Sequence, residues 1–183
     1  MTTKEKIFSS ALELFAEQGV DKTSTADIAK HAGVASGTVF VHFESKEQLI
    51  QELYLNLKEG IMSQLSQVLQ NTSKNESVEQ VCKTLFAHVI RYLLAEPKQF
   101  AFVQQVEHNP AYSICTDDAK DDIGKFFFQA MNRGELKKID IELLQKIIWG
   151  LIEAIASYYQ KNNIKQVQPE HINIIYSAIE QTQ

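Results

Sequence analysis

The sequence predicts an all-α protein of about nine helices: an N-terminal three-helix domain with a helix-turn-helix, joined to a larger helical domain. Three observations carry this reading. Apolar residues recur at helical spacing along nearly the whole chain. Only three prolines and seven glycines interrupt 183 residues, while Leu, Lys, Glu, Gln and Ala are abundant. Period-2 alternation is absent, so no sheet is expected.

The first helix runs from about Lys4 to Gln18, with Ile7, Phe8, Ala11, Leu12, Leu14 and Phe15 on one face. Thr2 and Glu5 have capping-box spacing, and Gly19 is placed to end the helix in the left-handed conformation. In "DKTSTADIAKHAGV", Ser24 and Asp27 repeat the capping box. Ile28, Ala29 and Ala32 face inward, and Gly33 stops this helix after barely two turns. A second short helix fits Ala35 to His42. Ser45, with Gln48 at the box position, opens a long helix whose apolar stripe is Leu49, Ile50, Leu53, Leu57, Ile61, Leu65, Val68 and Leu69. It ends in the polar "QNTSKNES". Five further segments read as helices. "VEQVCKTLFAHVIRYLLAE" stops before Pro97, "KQFAFVQQVEH" before Pro110, and "TDDAKDDIGKFFFQAMNRG" at Gly134. "DIELLQKIIWGLIEAIASYYQKN" and "PEHINIIYSAIEQT" close the chain.

Composition narrows the function classes. With 44% hydrophobic and 22% charged residues the chain is ordinary globular material. A net charge of −5 argues against coating nucleic acid through bulk charge, though not against one locally positive DNA-reading face. No run of roughly 18 apolar residues is present, so no membrane span is expected. The start, "MTTKEKIFSS", turns polar too soon for a secretory signal. Cys82 and Cys115 lack metal-ligand spacing and read as inert thiols of a reducing cytoplasm. No metal and no cofactor is expected.

The stretch "AGVASGTVFVHF", residues 32–43, is nearly uncharged and entered through a glycine. Two short helices joined by an Ala-Gly-Val turn form a helix-turn-helix. Gly33 supplies the positive φ of the tight turn. Ala29 and Ala32 let the helices approach, and Val34, Val39 and Phe43 fill the wedge between them. The second helix is then free to lie in a DNA major groove.

Residues 23–49, "TSTADIAKHAGVASGTVFVHFESKEQL", resemble the DNA-binding domain of the tetracycline-repressor (TetR) family of bacterial transcriptional regulators. The likeness runs through Ile28-Ala29, Ala32-Gly33-Val34, Gly37-Thr38, Phe40, Phe43 and Ser45-Lys46, about a quarter of the chain; beyond Leu49 it is architectural. The resemblance implies DNA contacts at Thr25, Ala35, Ser36, Gly37, Thr38, Phe40, Val41, His42 and Lys46. Thr25 and Lys46 stand at helix starts, where free N–H groups favour phosphate. Gly37 permits close approach, while Ser36, Thr38 and His42 are the polar candidates for base edges or phosphates.

The chain departs from the family pattern in two respects. The family usually has tyrosine where this chain has Phe40, so one phosphate contact is missing and Phe40 packs on sugar or a thymine methyl instead. The recognition helix also lacks Arg, Asn, Gln and Lys, the bidentate readers of guanine and adenine. Methyl contacts, single hydrogen bonds, water and DNA deformability must supply much of the specificity.

The chain divides by this reading into a DNA-binding domain, 1–46, and a ligand-binding and dimerisation domain, 47–183. In "DIELLQKIIWGLIEAIASYY", Glu142, Lys146, Glu153, Ser157 and Gln160 form a narrow polar stripe, and apolar residues cover most of the rest. Such a helix must be covered on more than one side, which a second copy provides. Gly150 and Ala154 let a partner helix close in. The resemblance implies a homodimer through the last two helices, hence a palindromic double-stranded DNA operator. It also implies an unknown small-molecule effector among the central helices. Phe86, Phe102, Val106, Phe127, Trp149 and Glu153 are the candidate lining.

The expected function is a cytoplasmic repressor released from its operator by that effector. The alternative keeps the DNA head without an effector: an architectural or protein-recruiting DNA binder. A third class, an enzyme built on His88, His108 and a cysteine, has no nucleophile elbow, HExxH, phosphate loop or paired metal ligands behind it, so no catalytic residue is expected.

Overall fold

The computed structural model describes residues 1–73, 75–112 and 121–181. Among them are nine α-helices: α1 Thr3–Gln18, α2 Thr25–Ala32, α3 Ser36–His42, α4 Lys46–Asn71, α5 Val78–Ala95, α6 Pro97–Glu107, α7 Asp122–Asn132, α8 Ile141–Lys161 and α9 Pro169–Ile179. A single 3-10 turn, Pro110–Tyr112, comes after α6. No strand forms among the described residues; one isolated bridge joins Leu136 to Glu180. Cys115 and the first part of the segment expected to lead into α7 lie outside the described residues.

Helix starts obey the local chemistry. Thr2 and Glu5 close a reciprocal capping box on α1, and Ser24 and Asp27 do the same on α2. At α4 the Gln48 amide donates to Ser45 Oγ at 3.1 Å. The Gln48 side chain reaches past the cap and accepts from the Glu44 amide. Gly19 departs from the expectation. It has positive φ, 93°, but an extended ψ of 149°, so α1 ends in a turned-out glycine rather than a left-handed one. The extended ψ sends the chain directly from α1 into the Val20–Thr23 loop.

The chain forms two compact units. Unit 1 is Met1–Glu59 with Glu96–Cys115; unit 2 is Gly60–Ala95 with Thr116–Gln183. In unit 1, Ile7, Ala11 and Phe15 of α1 pack with Ile28, Val39, Phe43, Leu49, Ile50 and Leu53. Phe102 and Val106 of α6 complete the same core. In unit 2, α5, α8 and α9 pack on one another and α7 packs on α8. Its core holds Cys82, Phe86, Ile90, Phe127, Ile148, Ile152, Tyr159 and Ile175. Burial pushes the Cys82 thiol up to about 12, with Glu135 adding to the shift, so it stays protonated and unreactive.

Candidate DNA-binding surface

The geometry starts at Gly33. Its φ of 67° and ψ of 33° are left-handed, and its amide donates to the carbonyls of Ala29 and Lys30. The Val34 amide turns back to Ala29 O at 3.0 Å. These bonds close α2 and send the chain directly into α3, as the sequence predicts for a helix-turn-helix. Ile28 and Ala29 anchor α2 in the core, and Val39 and Phe43 anchor α3. The four-residue spacing of Val39 and Phe43 places them on one side of the short helix.

The opposite side of α3 faces outward. Ala35, Ser36, Gly37, Phe40, Val41 and His42 are exposed, and Thr38 is half-buried. Phe40 is 56% exposed and Val41 81%. Large apolar groups left this open on a well-packed helix are groups that a partner covers. The helix brings no Lys, Arg, Asp or Glu of its own, so methyl and ring contacts dominate the face it presents.

Phe40 also borders an open hollow of about 460 Å³. Its walls include Thr25 at the start of α2, Lys46 at the start of α4, and Lys22 on the loop before α2. Two helix N-termini and two ammonium groups thus meet beside the exposed ring. Helix N-termini present free N–H groups and partial positive charge, the chemistry that holds a phosphate. Asp21 and Glu44 also line the hollow and moderate its potential. Asp27 is drawn below the usual carboxylate range by the hydroxyl and amide of Ser24, so it remains charged on the first turn of α2.

Of the nine residues singled out from sequence, Thr25, Phe40 and Lys46 meet at this hollow, and the other six lie along or beside exposed α3. Lys22 is an addition that the sequence does not single out. Its only sequence signal is a lysine two places before an N-cap serine.

The six expected effector-lining residues are divided between the units. Phe86 and Phe127 stack in unit 2, ring centroids 6.5 Å apart. Trp149 and Glu153 lie on α8 of the same unit. The indole N–H of Trp149 is buried and has no hydrogen-bond partner among the described residues. Phe102 and Val106 instead sit in the core of unit 1, where α6 buries its Phe102/Val106 stripe against α1. Helical spacing shows that two residues share a face, not which helix will cover it.

Comparison with known proteins agrees with this geometry. Residues 7–53 match the sequence profile of bacterial regulatory proteins of the tetR family. The chain is 26% identical to the HTH-type transcriptional repressor KstR2 of Mycolicibacterium smegmatis, over 78% of this chain and 63% of that protein. It is 30% identical to the HTH-type transcriptional regulator AcrR of Shigella flexneri, over 58% of this chain and 48% of that protein. The matches thus span less than two thirds of either relative's length. The fatty acid metabolism regulator protein of Bacillus subtilis is 26% identical, over 87% of this chain and 84% of that protein. A crystal structure of a tetR-family transcription regulator from Shewanella sp. PV-4 superposes with a TM-score of 0.79 at 29% identity, covering 98% of this chain and 99% of that one. With its helix-turn-helix and the helical body behind it, the chain belongs to the TetR family of DNA-binding transcriptional regulators.

Proposed function

We propose that this chain is a homodimeric repressor, acting in the cytoplasm, that holds a palindromic operator through α3 and lets go when unit 2 takes up a small-molecule effector. Residues 1–46 carry the DNA contacts; residues 47–183 carry dimerisation and effector binding, with α6 packed beside the DNA-reading helices. The observation behind the DNA contacts is the outward face of α3, with Phe40 and Val41 bare beside a hollow walled by Lys22, Thr25 and Lys46. Ala35, Ser36, Gly37, Thr38 and His42 complete that face.

The dimer reading rests on α8 and α9. Leu144, Ile148, Ile152 and Tyr159 are buried within the protomer, while Leu143, Tyr158 and, on α9, Ile174 are more than half exposed. Gly150 and Ala154 are exposed on α8 as well, so a second helix can approach its backbone. A second copy covers this apolar face.

For the effector, Phe86, Phe127, Trp149 and Glu153 are the lining, with the unpartnered Trp149 indole as hydrogen-bond donor. Phe102 and Val106 are left out because they pack in unit 1. A fatty acyl group is the favoured class. The Bacillus subtilis relative, named for fatty acid metabolism, aligns over most of both chains. One feature favours the alternative of a DNA binder without effector: the two best-formed hollows among the described residues both lie in unit 1.

The experiment selects a duplex from a random-sequence pool, then titrates the complex with long-chain fatty acids and their coenzyme A thioesters. Trp149 is the only tryptophan, so its emission reports directly on unit 2. Release of the duplex together with an emission change supports the proposal. Unchanged emission and an intact complex with every acyl chain length would move the reading to the effector-free DNA binder.

A further inference from the structure

The loop between α1 and α2 is held from two directions. From within, the Thr23 hydroxyl donates to Gly19 O at 2.9 Å and Leu14 O at 3.4 Å, and Thr23 is 1% exposed. From outside, one side chain of α6 reaches in. Gln105 Oε1 accepts from the Val20 amide at 2.8 Å. Gln105 Nε2 donates to Phe15 O at 3.0 Å and to Ala101 O, on its own helix, at 3.2 Å. A single carboxamide therefore ties the last turn of α1, the loop behind it and α6 together.

The loop is short and has one glycine with φ of 93°. Val20 is buried, so its N–H has no ready substitute for Gln105 Oε1. Phe15 O differs, because it also accepts from the Gly19 amide at 3.0 Å. The bond to Val20 is thus the one whose loss leaves a buried donor unsatisfied. Immediately after it come Lys22, Ser24 and Thr25, which line the hollow at the start of α2.

We infer that Gln105 is a positioning residue for DNA binding. It touches no DNA, but it fixes the loop that sets Lys22 and the N-terminus of α2 against the phosphate backbone. Three further features of α6 keep Gln105 in register. Phe102 stacks on Phe15 with ring centroids 5.5 Å apart. Lys98 pairs with Glu17 at 3.2 Å and also with Glu13. Tyr54 donates to Glu107 at the other end. The inference rests on the DNA-binding reading and deepens it.

The test uses the full chain and a duplex that the wild-type protein selects from a random-sequence pool. Gln105→Met keeps the length and shape of the side chain without its hydrogen bonds. Gln105→Glu keeps the acceptor for Val20 but loses both donations. Gln105→Met should bind about tenfold more weakly. Its slope of log affinity against log salt should fall by about one, because a phosphate contact is no longer held. Amide exchange at Val20 should quicken in Gln105→Met and stay slow in Gln105→Glu, whose affinity should lie between the other two. Wild-type affinity in Gln105→Met would overturn the inference. So would an affinity loss with unchanged salt slope, which would mean general destabilisation. A wild-type protein that selects no duplex would sink the DNA reading itself, and this inference with it.

Discussion

Phe102 of α6 stacks on Phe15 of α1, with ring planes 12° apart and both side chains fully buried. The core beneath the helix-turn-helix is therefore closed by a helix from the middle of the chain. Phe102→Ala removes a ring from a close-packed site and should cost about 3–5 kcal/mol. Urea unfolding tracked by circular dichroism measures it. A loss below about 1 kcal/mol would mean that α6 is not needed to close this core.

Phe40 lies beside Lys22, Thr25 and Lys46 without a hydroxyl to offer a phosphate. Phe40→Tyr adds that donor at an exposed position, where folding is indifferent to it. A hydrogen bond to a charged phosphate oxygen contributes about 1.5 kcal/mol, so the selected duplex should bind about tenfold more tightly. Fluorescence anisotropy reads the change. Equal affinity would place the ring away from the backbone.

The two lysines at the hollow should act as counterion-releasing contacts. Lys46→Ala and Lys22→Ala should each weaken binding to every duplex and flatten the salt slope by about one. A variant that weakens only the selected sequence would instead be reading bases.

Leu143 and Ile174 are 51% and 54% exposed in the protomer. The double variant Leu143→Arg/Ile174→Arg should fold normally and sediment as a monomer. It should bind a half-site as before but lose most of its affinity for the full palindrome, because the two heads are no longer linked. Sedimentation as a dimer would place the interface elsewhere.

The Lys98 ammonium beside Glu13 holds that carboxyl below its usual value, and His31 adds to the effect. The same pairing raises Lys98. A lowered folded value means stability that is present above the ordinary carboxylate range and lost as pH falls through the lowered value. The pair is well exposed, so the effect is small and screened by salt. The melting temperature of Lys98→Met should sit slightly below wild type at about pH 7, and the gap should close by about pH 3. A gap that persists in acid would assign Lys98 a packing role instead.

What the sequence alone determined is what short-range forces decide. Ser24 with Asp27 and Thr2 with Glu5 cap helices three residues away, so the caps are legible without the fold. Gly33 needs its left-handed turn whatever surrounds it. Val39 and Phe43 inward and Phe40 and Val41 outward are dictated by helical period alone. These local features sufficed for the helix-turn-helix and for the face it offers to DNA.

Tertiary structure decided what depends on contacts between distant residues. Phe86, Phe102 and Phe127 look alike in sequence, yet Phe102 joins Phe15 while the other two stack with each other. Gln105 looks like one polar residue among many until its amide meets Phe15 and Val20. Lys22 becomes a candidate contact only when folding brings it to the same hollow as Lys46. Gly19 takes an extended ψ because of the loop it must enter, not because of the helix it ends. Local sequence sets which groups face the same way; the free energy of burying them against particular partners is set only when the chain has closed.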